Sequence, residues 1–406
     1  MNRMTTLPPQ TLPDDLIVNI LSRLRVRSLM LSKCVCKSWL SLISDPQFVK
    51  SHSDLAEAAP THLLLKSSNS SQFNCIDIEA SLHDNGDSAE VIFNIPPPSS
   101  ASEPVSKVDI VGSFRGFILL AYVYTDFFYF VIWNPSTGFH KRIDNVSSTC
   151  DYVERLFRIG HDNFALLFGI GYDSSTDDYV VVTVTVSLPL RITSRRWSTK
   201  FFCFSLRTNL WSFTDATAPH YIGMQSSPGV LVNGALHWLV VKSDGNRRVV
   251  IAFDVTERIL SEFSVPESIA NGLDYTTYHL MVMRGFLCIC FMSFRTVLWT
   301  MKDYKVKSSW TKSFVMSTSY CPVRYPFSIC YTKNGQILGS NGPNALVRLN
   351  NKGELLESRT FGPEIDSFPL PKMDRFGLLQ CGVFRENLLS LPLEDSEKPS
   401  EDEQQI

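Results

Sequence analysis

Residues 12–52 have the sequence LPDDLIVNILSRLRVRSLMLSKCVCKSWLSLISDPQFVKSH. Pro13 suits the first position of a helix, and Asp14 and Asp15 follow where the helix dipole favours negative charge. Apolar residues then recur at steps of three and four, which is the spacing of one helix face; they are Leu16, Ile17, Ile20, Leu21 and Leu24. The pattern predicts a helix that begins near Pro13 and ends before Arg25.

The rest of this stretch predicts further short helices. After a break at Arg25–Arg27, an apolar segment covers Leu29–Val35, and Lys37–Ile43 has helical spacing again. Asp45-Pro46 is typical of a cap and first turn, here for a helix from Gln47 to about Glu57. So small a bundle buries too little surface to be stable alone. It is either a subdomain packed on its neighbour or a module whose apolar stripe serves both an internal core and an external partner.

The order and spacing of these residues resemble the F-box of plant F-box proteins. The resemblance rests on Leu12–Ile17, Cys34–Trp39 and Ser41–Phe48, while Arg25 stands where the family usually has proline, and Met30–Lys33 where a basic run is common. It implies that residues 11–57 form a helical domain that docks on a Skp-family adaptor. The adaptor-binding residues that it implies are Leu12, Pro13, Leu16, Ile17, Ile20, Leu21, Leu24, Cys34, Val35, Lys37 and Trp39.

Composition limits the class of protein. At 406 residues the chain is long enough for two domains, and its net charge of −2 gives no reason to expect nucleic acid or a membrane as a partner. The ten cysteines have irregular spacing, which predicts free thiols rather than a disulfide framework or a metal site. The first residues lack the apolar segment of a secretory signal. We therefore expect a cytoplasmic or nuclear protein, with Asn69 and Asn145 unglycosylated.

From Thr61 onward the pattern changes from helical spacing to short runs of β-branched and aromatic residues between turn clusters. Val180–Val186 and Val249–Phe253 are the clearest predicted strands. The most hydrophobic run, Gly116–Trp133, is interrupted by Asp126 and predicts two strands joined by a turn rather than a membrane span. Residues 61–392 are thus predicted to be all-β.

Two elements repeat within this region. A strand–glycine–strand element recurs at Gly116, Gly234, Gly285 and Gly335, the last three 51 and 50 residues apart, and polar turns follow strands near residues 134, 205, 254, 302 and 350. A period near 50 with four strands per repeat predicts a kelch-like β-propeller of six or seven blades. A β-sandwich with coincidental spacing is the alternative. Because a propeller closes on itself, Leu63–Leu65 should pair with the strand around Leu378–Val383.

Four motifs in this region resemble the F-box-associated domain of plant F-box/kelch-repeat proteins; they are Trp133–Thr137, Gly171–Tyr179, Gly234–Trp238 and Glu386–Leu391. The match now spans about residues 12–391. It implies an α+β multidomain protein that acts as the substrate receptor of an SCF-type ubiquitin ligase. The adaptor would link it to a cullin and a RING subunit, and the propeller would hold the target protein. Residues 1–10 and the acidic segment 393–406 are predicted to be disordered.

Motifs of catalysis are lacking, since the sequence contains no HExxH, GxxxxGK[ST] or GxSxG. Asp173–Tyr179 predicts a turn between strands rather than a calcium loop, and His237 beside Trp238 predicts a core or loop histidine. We expect no cofactor and no catalytic activity. The most interaction-like loop contains Arg191, Arg195, Arg196 and Trp197, although an ordinary hairpin tip would look the same. A propeller enzyme, or a module that binds a glycan or small ligand without ligase assembly, remains the alternative function.

Overall fold

The computed structural model describes the following residues: 12–55, 62–66, 72–80, 82, 90–97, 105, 107–124, 127–144, 164–187, 199–214, 221–222, 227–242, 247–271, 278–292, 295–317, 326–341, 345–360 and 381–389. The segments predicted to be disordered, 1–10 and 393–406, lie outside these ranges. So do the predicted target-binding residues Arg191, Arg195, Arg196 and Trp197, and both glycosylation sequons.

Four helices form the N-terminal part; they are α1 (Asp14–Leu21), α2 (Val26–Ser32), α3 (Lys37–Ser44) and α4 (Pro46–Leu55). The predicted cap is present, because the backbone N–H groups of Gln47 and Phe48 donate to Asp45 Oδ1 at 2.9 and 3.0 Å. The predicted break at Arg25–Arg27 is wrong, since only Arg25 is extended and α2 starts at Val26. Val26 is drawn into the helix because its side chain is buried in the helical core.

Twenty-six strands are described; the first thirteen are β1 (His62–Lys66), β2 (Gln72–Asp77), β3 (Glu90–Asn94), β4 (Lys107–Phe114), β5 (Phe117–Val123), β6 (Phe128–Trp133), β7 (His140–Asp144), β8 (Phe164–Asp173), β9 (Asp178–Ser187), β10 (Lys200–Ser205), β11 (Leu210–Thr214), β12 (Tyr221–Ile222) and β13 (Ser227–Pro228). The others are β14 (Val230–Val232), β15 (Ala235–Lys242), β16 (Arg248–Asp254), β17 (Leu260–Ser264), β18 (Tyr278–Met283), β19 (Phe286–Met292), β20 (Arg295–Met301), β21 (Trp310–Ser317), β22 (Pro326–Tyr331), β23 (Ile337–Asn341), β24 (Ala345–Leu349), β25 (Leu355–Thr360) and β26 (Cys381–Phe384). A short helix, α5 (Glu267–Ala270), follows β17.

The strands form six antiparallel blades of four. In order from the first strand outward they are blade 1 (β26, β1, β2, β3), blade 2 (β4–β7), blade 3 (β8–β11), blade 4 (β14–β17), blade 5 (β18–β21) and blade 6 (β22–β25). The first strands of neighbouring blades contact one another, so they form the inner ring. Strand β12 joins blades 3 and 4 into one sheet, because it pairs parallel with β9 and antiparallel with β15, while β13 pairs parallel with β8.

Six hydrophobic clusters lie between neighbouring blades and account for the six-blade ring. Each cluster combines side chains from two adjacent blades, and the cluster with Leu63 and Leu338 joins blade 6 to blade 1. A β-sandwich would bury one interior between two sheets, whereas here every blade buries both of its faces. The fold is therefore a helical domain followed by a six-bladed β-propeller, as the sequence predicted in outline.

Closure of the ring occurs where it was predicted. Strand β1 pairs antiparallel with β26, with Leu63 opposite Val383 and Leu64 opposite Gly382. Arg348 of blade 6 adds a polar contact with blade 1, because its Nη2 donates to the carbonyl of Ile78 at 3.1 Å. Its Nε lies 3.2 Å from Glu357 in the neighbouring strand of blade 6. The first and last strands of the propeller thus share blade 1.

The repeated glycines lie in the turns that the periodicity predicted. Gly116, Gly234, Gly285 and Gly335 have φ between 74° and 82° and connect the first and second strands of their blades. The polar turns connect the third and fourth strands, including the one at residues 302–305 that the spacing predicted. Both sets therefore lie at one end of the propeller, which we call the turn face. Among the described helices, none is long and apolar enough to cross a bilayer.

Candidate protein-binding site

The N-terminal helices have two apolar surfaces with different fates. The internal set forms the helical core; it consists of Leu21, Val26, Leu29, Ile43 and Phe48. The external set remains exposed; it consists of Leu12, Leu16, Val18, Ile20, Leu31, Val35 and Leu40. Isolated exposed apolar residues are ordinary, but seven on 44 residues of four short helices are characteristic of a protein-binding surface.

Adjacent residues Ile20 and Leu21 divide between the two sets. Ile20 is 51% exposed and Leu21 only 1%, because consecutive helix positions point about 100° apart. Leu16 lies one turn before Ile20 on the same helix face and is also exposed. The inclusion of Leu21 among the adaptor-binding residues is therefore corrected, since its side chain packs inside the helical domain.

The other predicted adaptor-binding residues fall into two groups. Ile17, Leu24 and Trp39 are partly buried and pack against the internal set. Pro13, Cys34, Val35 and Lys37 are exposed, together with Leu12. Near this surface, Cys36 Sγ lies 3.1 Å from Ser38 Oγ, and hydrogen bonding by Ser38 lowers the pKa of the Cys36 thiol. These exposed residues form a surface that is mainly apolar and includes the basic side chain of Lys37. Among the described residues, none covers this surface.

The helical core also contains one residue from the far end of the chain. Leu388, which follows β26, is buried among Leu21, Val26, Leu29 and Phe48. A buried leucine of this kind contributes about 1.5–3 kcal/mol through the hydrophobic effect. His52 of α4 bonds to the same part of the domain, with its Nε2 at 2.9 Å from the Leu24 carbonyl oxygen. The helical domain is thus completed by the segment that follows the last propeller strand.

The neighbours of Leu388 fasten this segment to the turn face of blade 2. Asn134 Nδ2 donates to Asn387 Oδ1 at 2.8 Å and to the Leu389 carbonyl at 2.9 Å. Asn387 in turn donates to the carbonyl of Arg115, and Leu389 packs against the core between blades 2 and 3. Three consecutive residues therefore contact propeller, helical core and propeller in turn. This junction, residues 385–389, sets the position of the helices on the turn face.

Other candidate sites of the sequence have structural explanations. Asp173–Asp178 is the turn between β8 and β9, with Asp173 Oδ1 accepting from the Ser175 backbone N–H at 3.0 Å. His237 is fully buried, bonded to the Val230 carbonyl and to the Tyr304 hydroxyl at 3.2 and 2.8 Å. Burial lowers the pKa of His237 to about 4. Within the described residues, no group of three or more potential ligands is arranged to hold a metal ion.

The described cysteines for which free thiols were predicted form no disulfide bonds. Cys288 and Cys290 share a strand face and are both buried in the core between blades 5 and 6. Burial raises the pKa of Cys288, while Thr300 lies 3.3 Å from its sulfur. These cysteines are core residues.

Sequence reasoning missed four residues of the candidate site: Val18, Leu31, Leu40 and Leu388. Val18, Leu31 and Leu40 are exposed on α1, α2 and α3, and apolar spacing alone did not distinguish them from core positions. Leu388 had no local signal, since its role depends on contact with residues more than 300 positions away. In the sequence it is marked only by its place in the Glu386–Leu391 motif, which gives no structural reason for the leucine.

Comparisons with known proteins agree with this architecture. Residues 67–352 match the F-box associated beta propeller domain family, and residues 9–53 match the F-box-like family. The F-box protein CPR1 of Arabidopsis thaliana is 27% identical over 365 residues, covering 84% of this chain and 80% of CPR1. An F-box/kelch-repeat protein of the same plant is 27% identical over 324 residues, covering 75% of this chain and 79% of its own length.

Solved structures give only a remote likeness. The Dos1 propeller aligns with a TM-score of 0.36 and 9% identity, covering 72% of this chain and 66% of that one. TolB from Acinetobacter baumannii aligns with a TM-score of 0.37 and 10% identity, covering 73% and 65%. Neither bears on function at this distance. The family matches cover both parts of the chain, and with them the chain belongs to the plant F-box proteins that carry an F-box-associated β-propeller domain.

Proposed function

We propose that this protein is the substrate-recognition subunit of an SCF-type ubiquitin ligase. The helical domain docks on a Skp-family adaptor, which links it to a cullin and a RING subunit, and the propeller holds a target protein. The chain performs no chemistry itself. Its contribution is to raise the local concentration of the target near the ubiquitin-loaded enzyme.

The observation that carries this proposal is the external apolar set. Leu16, Ile20 and Val35 are exposed on a helical domain that already has its own core of five buried residues. Fully burying one such side chain against a partner is worth about 1.5–3 kcal/mol, so even two of them support specific docking. A helical subdomain that served the propeller alone would have no need to keep these side chains in water.

The junction supports the same function. A receptor must hold its target at a fixed distance from the adaptor for transfer to be efficient. Residues 387–389 supply such a connection, because Leu388 belongs to the helical core while Asn387 and Leu389 are held by the propeller. In this role the protein works in the cytoplasm or nucleus, together with the other subunits of the SCF-type ligase.

Affinity capture tests the proposal. The full chain and a chain lacking residues 1–52 are expressed with proteasome inhibition, and their partners are identified by mass spectrometry. We expect adaptor, cullin and RING subunit with the full chain only, and ubiquitin-modified candidate targets to accumulate with it. Recovery of the same ligase subunits with both chains would contradict the proposal.

A further inference from the structure

Two blades carry the same arginine–glycine turn on the turn face. Arg115-Gly116 connects β4 to β5 in blade 2, and Arg284-Gly285 connects β18 to β19 in blade 5. The arginines have φ of 45° and 52°, and the glycines 82° and 77°, so the two backbones follow the same path. A phenylalanine follows each glycine in the sequence. The two turns are therefore repeats of one local structure.

Their surroundings are repeated as well. The Arg115 guanidinium lies 4.4 Å from the ring centre of Tyr172, in the first strand of the next blade. The Arg284 guanidinium lies 4.3 Å from the ring centre of Tyr331, again in the first strand of the next blade. Stacking on the tyrosine ring fixes the orientation of the guanidinium group, so its N–H groups point in a defined direction.

The two turns differ in whether protein covers them. At blade 2 the junction segment lies on the turn, where a Cβ added to Gly116 would meet the Arg385 carbonyl at 2.6 Å; at Gly285 an added Cβ would meet nothing within 4 Å. Phe117, which follows Gly116, is fully buried, whereas Phe286 is 39% exposed. Among the described residues, none covers the blade 5 turn at Gly285, whereas the equivalent turn of blade 2 binds an extended segment of this same chain.

The residue that follows the third strand of each blade indicates which side chain the turn can bind. At blade 2 the neutral amide of Asn134 donates to the docked Asn387 side chain. The corresponding position of blade 5, one residue after β20, is Lys302, whose Nζ lies 5.3 Å from the Phe286 ring centre. Within the described residues, neither Lys302 nor Arg284 is within ion-pair distance of a carboxylate. A cation in place of an amide donor favours a carboxylate in place of the docked asparagine.

A cavity beside the turn has room for such a segment. It has a volume of about 410 Å³ between blades 5 and 6, and its lining includes Arg284, Tyr331, Asn334, Gln336 and Asn351. In the part of the chain that the structure describes, no acidic side chain lines it. The amides provide donors and acceptors of the kind that bind a peptide backbone. Burial raises the pKa of Tyr331, so its hydroxyl stays protonated and adds no negative charge.

We propose that the open Arg284-Gly285 turn of blade 5 binds an extended segment of the target protein with an acidic residue, followed two positions later by a large apolar one. The acidic side chain binds at Arg284 and Lys302. The apolar residue covers Phe286, as Leu389, two positions after Asn387, packs on the cluster that contains Phe117. The inference rests on the proposed role as a target receptor and names the chemistry of that target.

The acidic segment 394–406 of this chain is the obvious competitor for a cationic site. It contains no acidic residue followed two positions later by a large apolar one, since its sequence is EDSEKPSEDEQQI. The tail therefore does not fit the site. Asp366-Ser367-Phe368 and Asp374-Arg375-Phe376 do carry the pattern, but β25 ends and β26 begins at the end of the propeller opposite the turn face, so a segment of another protein fits the site better.

Peptide binding to the full-length chain tests the proposal. The probes are fluorescein-labelled nine-residue peptide pools with Glu-x-Leu fixed at the centre, neutral residues elsewhere, and matched pools with Gln-x-Leu or Glu-x-Ser. Measured by anisotropy, the Glu-x-Leu pool should bind about tenfold more tightly than either matched pool. Arg284→Gln should weaken its binding about tenfold and abolish the preference for glutamate. Arg207→Gln, which removes an exposed arginine from the turn face of blade 3, should change neither.

Three outcomes would overturn the inference. One is equal binding of the Glu and Gln pools, and another is equal loss in the Arg207 and Arg284 variants, which would indicate non-specific charge attraction. The third is binding seen only after residues 393–406 are removed, because the tail would then be the natural occupant. Adaptor capture by the Arg284→Gln chain should match that by the unmodified chain. Absence of capture in both would refute the proposed ligase role, and the peptide result would stand separately.

Discussion

The helical domain and the propeller achieve stability in opposite ways. Every blade of the propeller buries both faces, and six clusters between blades close into a ring. The helices bury one small apolar cluster and leave the seven apolar side chains of the external set exposed. One of the six residues in that cluster, Leu388, belongs to the C-terminal segment. The propeller is thus self-sufficient, whereas the helical domain is completed by the propeller on one side and, in our proposal, by the adaptor on the other.

This difference indicates that a docking module can be recognised by its small core. A surface kept for a partner cannot also stabilise the isolated chain, so the domain that bears it has a small core. The asymmetry predicts that damage to the propeller disrupts the whole chain, while loss of the Leu388 side chain affects the helices alone.

Removal of the closing strand should have the largest effect. A chain that ends at residue 380 lacks β26, so β1 loses one of its two pairing partners. Blade 1 also loses Phe384 and Val383, which pack in the cores shared with blades 2 and 6. Each buried backbone group left unsatisfied costs about 1–3 kcal/mol, against a total stability of roughly 5–15 kcal/mol. We expect the propeller to unfold, as judged by loss of the β-sheet circular dichroism signal. A chain that ends at residue 392 is the control, and equal melting temperatures for the two chains would contradict the closed ring.

Leu388→Ala should have the next largest effect and should separate the two regions. Removing a buried leucine typically costs about 2–5 kcal/mol, and here the loss falls on the small helical core. Thermal unfolding followed at 222 nm should show an earlier helical transition with the propeller transition unchanged. Leu356→Ala, at an exposed position of β25, is the matched control and should alter neither. A propeller destabilised as much as the helices would show that the two regions form one cooperative unit.

How much of this was predictable follows from the range of the interactions. The helices, their Asp45 cap and the Arg–Gly and Asn–Gly turns depend on neighbours within four residues, so their spacing appears in the sequence. The start of α2 was misplaced because Val26 obeys the tertiary core rather than the local charge pattern of Arg25 and Arg27. Pairing of β1 with β26 was predicted from the closure that a propeller requires, without any local signal.

The candidate site was predicted less completely than the fold. Helical spacing identified the apolar stripe of α1, but adjacent pairs such as Ile20-Leu21 left open which member faces outward. Only the position of the core assigns Leu21 to the inside. The blade 5 site depends on a comparison of two equivalent turns, one covered and one open, and coverage is a property of the folded chain.

Acid should affect the propeller through His237, with a smaller effect. The folded-state pKa of about 4 lies below the usual 6.5, so folding favours the neutral imidazole. This contribution is fully present above pH 6.5 and is lost as the pH falls towards 4. Between pH 7 and pH 5 it amounts to about 2 kcal/mol. Burial lowers the pKa of His279 to about 4 as well, so His237→Gln should reduce, without abolishing, the dependence of the propeller's urea midpoint on pH over this range. An unchanged slope would contradict the assignment.

The central claim is that the external apolar set binds the adaptor while the internal set holds the helices together. Its most direct test is the affinity of the full-length chain for a Skp-family adaptor after Ile20→Asp. This change places a charge in the proposed interface, yet it lies on an exposed position and should leave the melting temperature within the spread of ordinary surface substitutions. The matched control is Ile92→Asp, at an exposed position of β3 in the propeller. The account predicts a loss of affinity of tenfold or more for Ile20→Asp and no change for Ile92→Asp. Equal affinity of the Ile20→Asp chain and the unmodified chain would contradict it.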